Sequence, residues 1–498
     1  MAALLILLLL IVLIPAGLHF RSSPPSFHEL LTNAAKAPSR WPLTAFAAIA
    51  GTALAIARIC GGAEGEFYGR LLALLVFNIP LSYALAFFAV RLGFSRWCTQ
   101  GWTLALCAGA SFWIYSALPA VFAALIMLIG IAAVLLALAA QPPYREHNNL
   151  RYLSECHHLQ CIFAVSGLSS TLLAVGVCTI LLSISYLFDL RIGGEPYGVV
   201  WAVCLIFITT AVFLGLAATS PGEQHAEFIP GPLSGIKDYV VVPLLLVYTL
   251  ILYIYGAVIG ATLTLPKGLI GWMVSSYALL GLFVWLASYP PEAHRTASVK
   301  FFYRRFFLLL APLLLLLAAG LWTRINQYGV TEERYYLALF ALWLACASAC
   351  FLRRAEMSLR FLPASLLVLI LISCAGPWSA FSVSRQSQLK RWAKHLEEAG
   401  VMPPAFAKPQ NKSPLQPQRE LSRICEYLSA IYGKHVFRQF FKENTEVLRA
   451  IEQASDPLRY DFLSEFRRAD FCEALLPALG LRYVQPYEGQ SKSLNLNV

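Results

Sequence analysis

Charged side chains are what this chain lacks most. Asp, Glu, Lys and Arg make up 13% of its 498 residues, about half the share of an average soluble protein, while hydrophobic residues reach 58%. So little charge excludes an ordinary soluble domain and places the chain among membrane proteins. Catalytic signatures are missing too: there is no Walker-type glycine-rich loop, no HExxH and no Ser-His-Asp spacing of the kind that serves nucleophilic catalysis. Ionisable residues inside the apolar runs are almost absent. Arg58, Arg91, Asp189, Lys237 and Asp238 fall within a turn of a run's end, where they are expected to snorkel, which disfavours a proton pump built on a buried carboxylate relay. No cofactor, metal or nucleic-acid partner is expected.

What the chain has instead is long apolar runs. A helix needs about 20 apolar residues to cross a hydrocarbon core about 30 Å thick. Twelve segments meet or approach that length: Ala2 to Phe20, Leu43 to Cys60, Leu71 to Val90, Gly101 to Ser116, Pro119 to Ala140, Cys161 to Leu187, Val199 to Thr219, Tyr239 to Leu263, Leu269 to Tyr289, Phe306 to Thr323, Tyr335 to Leu352 and Phe361 to Ala380. None shows the alternation of barrel strands, and a lipid-exposed backbone must satisfy its own hydrogen bonds, so helices are the spanning form. The expected fold is all-α, a polytopic transmembrane bundle of about 12 helices with a small helical C-terminal tail outside the bilayer. Its expected parts are residues 1–41, an apolar helix and a basic cytoplasmic segment; residues 42–380, the transmembrane domain; and residues 381–498, the tail, with a proline-rich linker at 400–418.

Orientation follows from where Lys and Arg fall, since such groups are retained on the cytoplasmic side. One set of loops holds Arg21, Lys36 and Arg40, then Arg91 and Arg96, Arg145 and Arg151, and Lys237. Further along, the same set adds Arg295, Lys300, Arg304 and Arg305, then Arg353, Arg354 and Arg360. The opposite set offers Arg70, Arg191, Lys267, Arg324 and Arg334. This bias puts the first set in the cytoplasm and the tail after Ala380 on the outside. A signal peptide cleaved after Ala16 is the alternative for the first run; it lacks a preceding Lys or Arg and would export Arg21, Lys36 and Arg40.

The cysteines are scattered and imply no disulfide framework, although Cys425 and Cys472 in the tail could pair in an oxidising compartment. In "ECHHLQC", His157 and Cys161 share a helical spacing that suits two metal ligands, but a structural zinc site needs four; a polar helix entry is the simpler account. After the linker, Leu421, Ile424, Cys425, Leu428, Ile431 and Tyr432 recur at helical spacing. Within the bundle, Pro80, Pro243 and Pro312 are expected to bend their helices, and Tyr248, deep in its run, needs a partner for its hydroxyl through packing or a ligand.

Between two apolar runs stands "RINQYGVTEERYY". Gly329 permits a tight turn, Thr331 is placed to cap the next helix, and Glu332 and Glu333 suit its positive first turn. The surplus is Arg324, Tyr328, Arg334 and Tyr335, whose guanidiniums and rings suit a lipid phosphate, a carboxylate or the tail itself. The segment "GPWSAFSVSRQSQ" supplies Trp378, Ser382, Ser384 and Gln386 for the same outer surface, and the two segments are expected to meet. The candidate ligand-binding residues are therefore Arg324, Tyr328, Arg334, Tyr335, Trp378, Ser384, Gln386 and, within the bundle, Tyr248.

Four stretches in order, "SPGEQ…DYVVVPLLLVYTLILYIYG", "LPKGLIGWMVSSYALLGL", "RINQYGVTEERYYLALFALWLA" and "GPWSAFSVSRQSQLKRWAKHL", resemble the bacterial integral-membrane family known as domain of unknown function 4153. The resemblance runs from about Pro42 to the tail. It implies a polytopic helical protein of the bacterial inner membrane and no particular activity. The functional reading is a non-catalytic envelope or assembly factor that lies in the lipid bilayer and binds an anionic lipid or envelope component at its outer face. The alternatives are a transporter of a small or amphipathic molecule, then a membrane-embedded transferase or hydrolase; oligomeric state is not legible.

Overall fold

The computed structural model describes residues 27–62, 66–91, 93–117, 149–190, 192–217, 235–262, 269–289, 296–353, 357–374, 376–401, 415–441, 445–454 and 464–484. Its ordered elements there are helices: α1 (Phe27–Arg40), α2 (Pro42–Ile59), α3 (Glu66–Arg91), α4 (Arg96–Ala117), α5 (Asn149–Leu187), α6 (Glu195–Ala217), α7 (Lys237–Thr262), α8 (Leu269–Ala287), α9 (Ala297–Tyr328), α10 (Glu332–Arg353), α11 (Phe361–Cys374), α12 (Ala380–Glu398), α13 (Leu415–Tyr432), α14 (Lys434–Phe440), α15 (Thr445–Gln453) and α16 (Ser464–Ala478). Two compact units result. Unit 1 comprises Met1–Gly320 and Leu339–Leu371; unit 2 comprises Leu321–Ala338 and Ile372–Val498.

Eight of the described helices, α2, α3 and α5 to α10, are long and apolar enough to cross a membrane, and each coincides with an expected run. Of the other four runs, 2–20 and 119–140 lie outside the described residues. The run from Gly101 falls in α4, a helix that is not among those eight. The run from Phe361 stops early: α11 ends at Cys374, Gly376 turns at φ +79°, and Ser379 caps α12 by accepting from the Ser382 N–H at 3.3 Å. Apolar composition carried the expected helix to Ala380, but a positive-φ glycine followed by a serine cap ends one helix and starts another.

Inside unit 1 the helices are joined by sparse polar contacts set in apolar packing, the pattern expected where lipid gives no hydrophobic drive for association. Thr44 of α2 bonds Ser82 of α3 at 2.8 Å, and Asn78 of α3 donates to Ser111 of α4 at 2.8 Å. Thr249 of α7 donates to the Tyr277 hydroxyl of α8 at 2.8 Å, and Tyr253 reaches the Leu309 carbonyl of α9 at 2.7 Å, beside Pro312. Gly281 lets α8 approach α9 closely, since a Cβ there would sit 2.5 Å from the ring of fully buried Phe306. Trp285 stacks on Tyr303 and meets Phe307 and Phe351 edge-on, tying α8, α9 and α10 together.

Asp238 corrects an expectation. It does not snorkel: it is 2% exposed, paired with the Lys237 ammonium at 2.7 Å, and that ammonium donates to Ser288 at 3.3 Å. Pairing offsets part of the cost of burying both charges. The first turn of α7 there is a π-turn over Lys237–Val241, and α6 contains another over Val203–Ile208.

Unit 2 has its own core. Trp392, Leu421, Leu428, Phe437, Ile451 and Phe471 are among its fully enclosed side chains, and a disulfide joins Cys425 of α13 to Cys472 of α16. The expected helical spacing in α13 buries Leu421, Ile424, Cys425 and Leu428. Residues 402–414 of the linker lie outside the described residues, and Leu415–Gln418, assigned to that linker by sequence, form the first turn of α13; proline at 417 is tolerated there because first-turn N–H groups lack helical partners anyway.

Candidate functional site

The segment between α9 and α10 is wrapped by α12 and α13, all within unit 2. Gly329 makes the turn at φ +70°. Helix α9 thus ends at Tyr328, leaving the last carbonyls without helical donors at the negative end of its dipole. Arginines meet that need. Arg391 of α12 donates to the Tyr328 carbonyl at 2.6 Å and the Gln327 carbonyl at 3.3 Å, while Arg334 donates to the carbonyls of Gly329 at 2.8 Å and Tyr328 at 3.3 Å. Gln388 adds bonds to the carbonyls of Tyr328 at 3.1 Å and Val330 at 3.0 Å, and the Val330 N–H donates to Ser387 at 2.9 Å. The turn is thereby saturated from two sides.

The Tyr328 ring is surrounded as well. The guanidinium carbons of Arg423, Arg334 and Arg324 lie 4.6, 5.5 and 5.7 Å from its centroid, distances at which each cation gains about 0.5–1 kcal/mol when exposed and more when desolvated. Glu420 lies between two of the arginines, 3.0 Å from Arg391 and 3.5 Å from Arg423.

Beyond the turn, Glu332 is buried, and its carboxylate accepts hydrogen bonds from the hydroxyls of Tyr427 and Tyr432 of α13. The Tyr427 hydroxyl also bonds Ser384, which reaches the Val330 carbonyl at 3.4 Å. Burial, and then the Glu332 charge, push both phenols well above their ordinary value. Thr331 takes the capping position, its carbonyl accepting from the Tyr335 N–H at 2.9 Å.

The two segments expected to meet therefore do so, and Arg324, Tyr328, Arg334, Tyr335, Trp378 and Ser384 fall in one region of unit 2. Their roles differ from simple display. Trp378 contributes its carbonyl, which accepts from Tyr335 at 2.8 Å, while its ring is exposed. Gln386 is exposed; it lies two residues from Ser384, about 200° round the helix. Tyr248 is in unit 1, its ring 6.1 Å from that of Tyr277, as packing requires.

Gln388, Arg391, Arg423 and Tyr427 were not singled out by sequence, and Glu332 and Tyr432 were named only for a helix's first turn and a helical repeat. The signal existed: Ser384, Gln388 and Arg391 recur at helical spacing on α12, as do Glu420, Arg423 and Tyr427 on α13, two stripes of hydrogen-bonding side chains at the spacing of one helix face. Among the described residues no group of three or more His, Cys, Asp and Glu side chains comes together.

The family described as "Domain of unknown function (DUF4153)" matches residues 1–397, and the chain belongs to it. The match begins at residue 1, so it includes the N-terminal run beyond the expected start near Pro42, and it ends within α12. The chain is 29% identical over 238 residues to the uncharacterized protein PM1469 of Pasteurella multocida (strain Pm70), covering 45% of this chain and 39% of that one. The chain thus spans less than half the length of that curated relative. No solved structure matches.

Proposed function

We propose that this protein is a non-catalytic envelope or assembly factor of the bacterial inner membrane, with unit 2 in the periplasm and an anionic or lipid-like partner bound at its outer face. The observation that carries this reading is the gathering of Arg324, Arg334 and Arg423 on the ring of Tyr328. Guanidiniums held in place by packing and carbonyl bonds lose little entropy on meeting a phosphate or carboxylate. The Cys425–Cys472 disulfide supports the periplasmic placement, because such bonds persist in oxidising compartments.

The test is thermal unfolding of the full chain in uncharged detergent with added phosphate or acetate. Stabilisation of the native chain, abolished in an Arg324→Gln/Arg423→Gln variant, supports the reading; no shift with either anion sinks it. Alkaline phosphatase fused after Val498 checks sidedness, being active only outside the cytoplasm.

A transporter is the second reading. It is favoured by the two π-turns in α6 and α7, a device frequent at functional sites, together with the buried Lys237–Asp238 pair. Substrate flux into reconstituted vesicles that Asp238→Asn abolishes would prefer it.

A further inference from the structure

We infer that the Cys425–Cys472 bond is a redox lock on the turn between α9 and α10: oxidised, it seats α13 so that Tyr427 and Tyr432 hold Glu332; reduced, it lets that contact open. The lock needs only the oxidising compartment of the proposed function and no bound anion. Its basis is the geometry of α13. Cys425 stands two residues from Arg423 and two from Tyr427, about 200° round the helix and about 3 Å along its axis from each. One face of α13 therefore bears the bond to α16. The opposite face bears Arg423, whose guanidinium carbon lies 4.6 Å from the centroid of the Tyr328 ring, and Tyr427, which donates to Glu332. A third face meets the segment that follows α16: the Ser422 hydroxyl accepts from the Val484 N–H at 3.0 Å, and Tyr483 donates to Glu426. Helix α13 is thus fixed at one height from two sides, so a shift that parts it from α16 also draws Tyr427 and Tyr432 off Glu332.

Burial decides how the lock is set. Both cysteines are fully enclosed in the core that includes Leu421, Leu428, Leu475 and Leu476, so a thiol reagent reaches them only when α13 parts from α16. Forming the bond removes two electrons and two protons from the two thiols. They pass to the disulfide of a thiol oxidoreductase in the same compartment, which leaves as a dithiol; a reducing dithiol returns them. The bond spans a sequence separation of 47 residues, and the loop it closes carries Tyr427 and Tyr432. Closing a loop of that length favours the seated over the open state by about a hundredfold. Glu332 begins α10, and α9 and α10 are two of the eight helices long and apolar enough to cross a membrane. Oxidation of the tail is thereby communicated to the joined ends of two such helices. Coupling of this kind is reciprocal: if the bond holds the contact at Glu332, that contact protects the bond.

The experiment uses the full chain, purified in detergent with the bond formed, and reads each direction separately. Hydrogen exchange compares it with Cys425→Ala/Cys472→Ala. The expected result is exchange about a hundredfold faster in the variant at α13 and also at Glu332–Tyr336 of α10, with α7 and α8 unchanged. Alkylation then follows reduction of the bond by dithiothreitol. The expected rate is about tenfold higher in Glu332→Ala than in the native chain, and restored toward native in Glu332→Gln, whose amide oxygen still accepts from the phenols. Native-like exchange at Glu332–Tyr336 in the alanine pair overturns the proposal, as does a reduction rate unmoved by Glu332→Ala. Should the alanine pair lose its helices by circular dichroism, the reduction rates decide alone, because the Glu332 variants keep both cysteines. Neither arm adds an anion or depends on which side of the membrane the tail lies. Failure here therefore leaves the proposed function standing, and absence of anion binding leaves the lock standing.

Discussion

The hydroxyl of Tyr432 donates to the carboxylate of Glu332, a residue 100 positions earlier in the chain, and Tyr427 donates to the same carboxylate from one turn back on α13. A buried carboxylate needs such partners, and a hydrogen bond to a charged group contributes about 1.5–3 kcal/mol. Glu332→Ala leaves two phenols without their acceptor. Each keeps a second partner, Tyr432 the Phe381 carbonyl at 3.0 Å and Tyr427 the Ser384 hydroxyl, so we expect the change to destabilise unit 2 by about 1–3 kcal/mol, whereas Tyr432→Phe should cost less. Hydrogen exchange in α13 is the measurement; unchanged protection in Glu332→Ala would contradict the latch.

The same pair sets a pH dependence. Burial first, and the Glu332 charge second, hold the Tyr427 and Tyr432 hydroxyls above the ordinary phenol value of about 10. Unfolded, both would ionise near that pH; folded, both keep their protons. Stability of unit 2 is therefore fully present below pH 10 and falls as the pH rises beyond it. Unfolding followed from pH 8 to 12 should show the decline, and it should shrink in Tyr427→Phe/Tyr432→Phe.

Gly329 is held from both directions. Its φ of +70° is costly for other residues, and a Cβ would meet Arg391 Cδ at 2.7 Å, Gln388 Nε2 at 3.0 Å and Ser387 Oγ at 3.0 Å. Gly329→Ala should cost about 1–2 kcal/mol from the backbone alone, and more if Arg391 must leave the carbonyls of α9. Limited proteolysis of unit 2 reads this directly, and susceptibility equal to the native chain would count against the clamp.

Joining Cys425 to Cys472 closes a loop of 47 residues around the core of unit 2. Reduction, or Cys425→Ala/Cys472→Ala, should lower its stability by about 2–4 kcal/mol. In cells the bond should form only when the tail is exported, so thiol labelling of intact bacteria against lysates checks bond and sidedness together.

Much of unit 1 was legible because the bilayer imposes a length: each of the eight spans among the described residues coincides with an apolar run. The end of α11 was misplaced because composition does not register a glycine turn, and Asp238 because distance from a run's end says nothing of what neighbouring helices enclose. In "RINQYGVTEERYY" the turn at Gly329 follows from local chemistry. The roles of the arginines do not. Arg334, read as an anion ligand, also donates to the carbonyls that end α9; Glu332, read as a partner for a helix dipole, stands in the first turn of α10 and also binds two phenols.

By itself the sequence determined the helical class, the positions of eight apolar helices among the described residues and the identity of "RINQYGVTEERYY" as a polar and aromatic exception, since these depend on local composition and on an environment that penalises exposed backbone. Only the tertiary structure decided what the exception does. Hydrogen bonding and ring contact depend on distance in space, and Glu332 acquires its meaning from helices about a hundred residues later in the chain, which no local pattern can report.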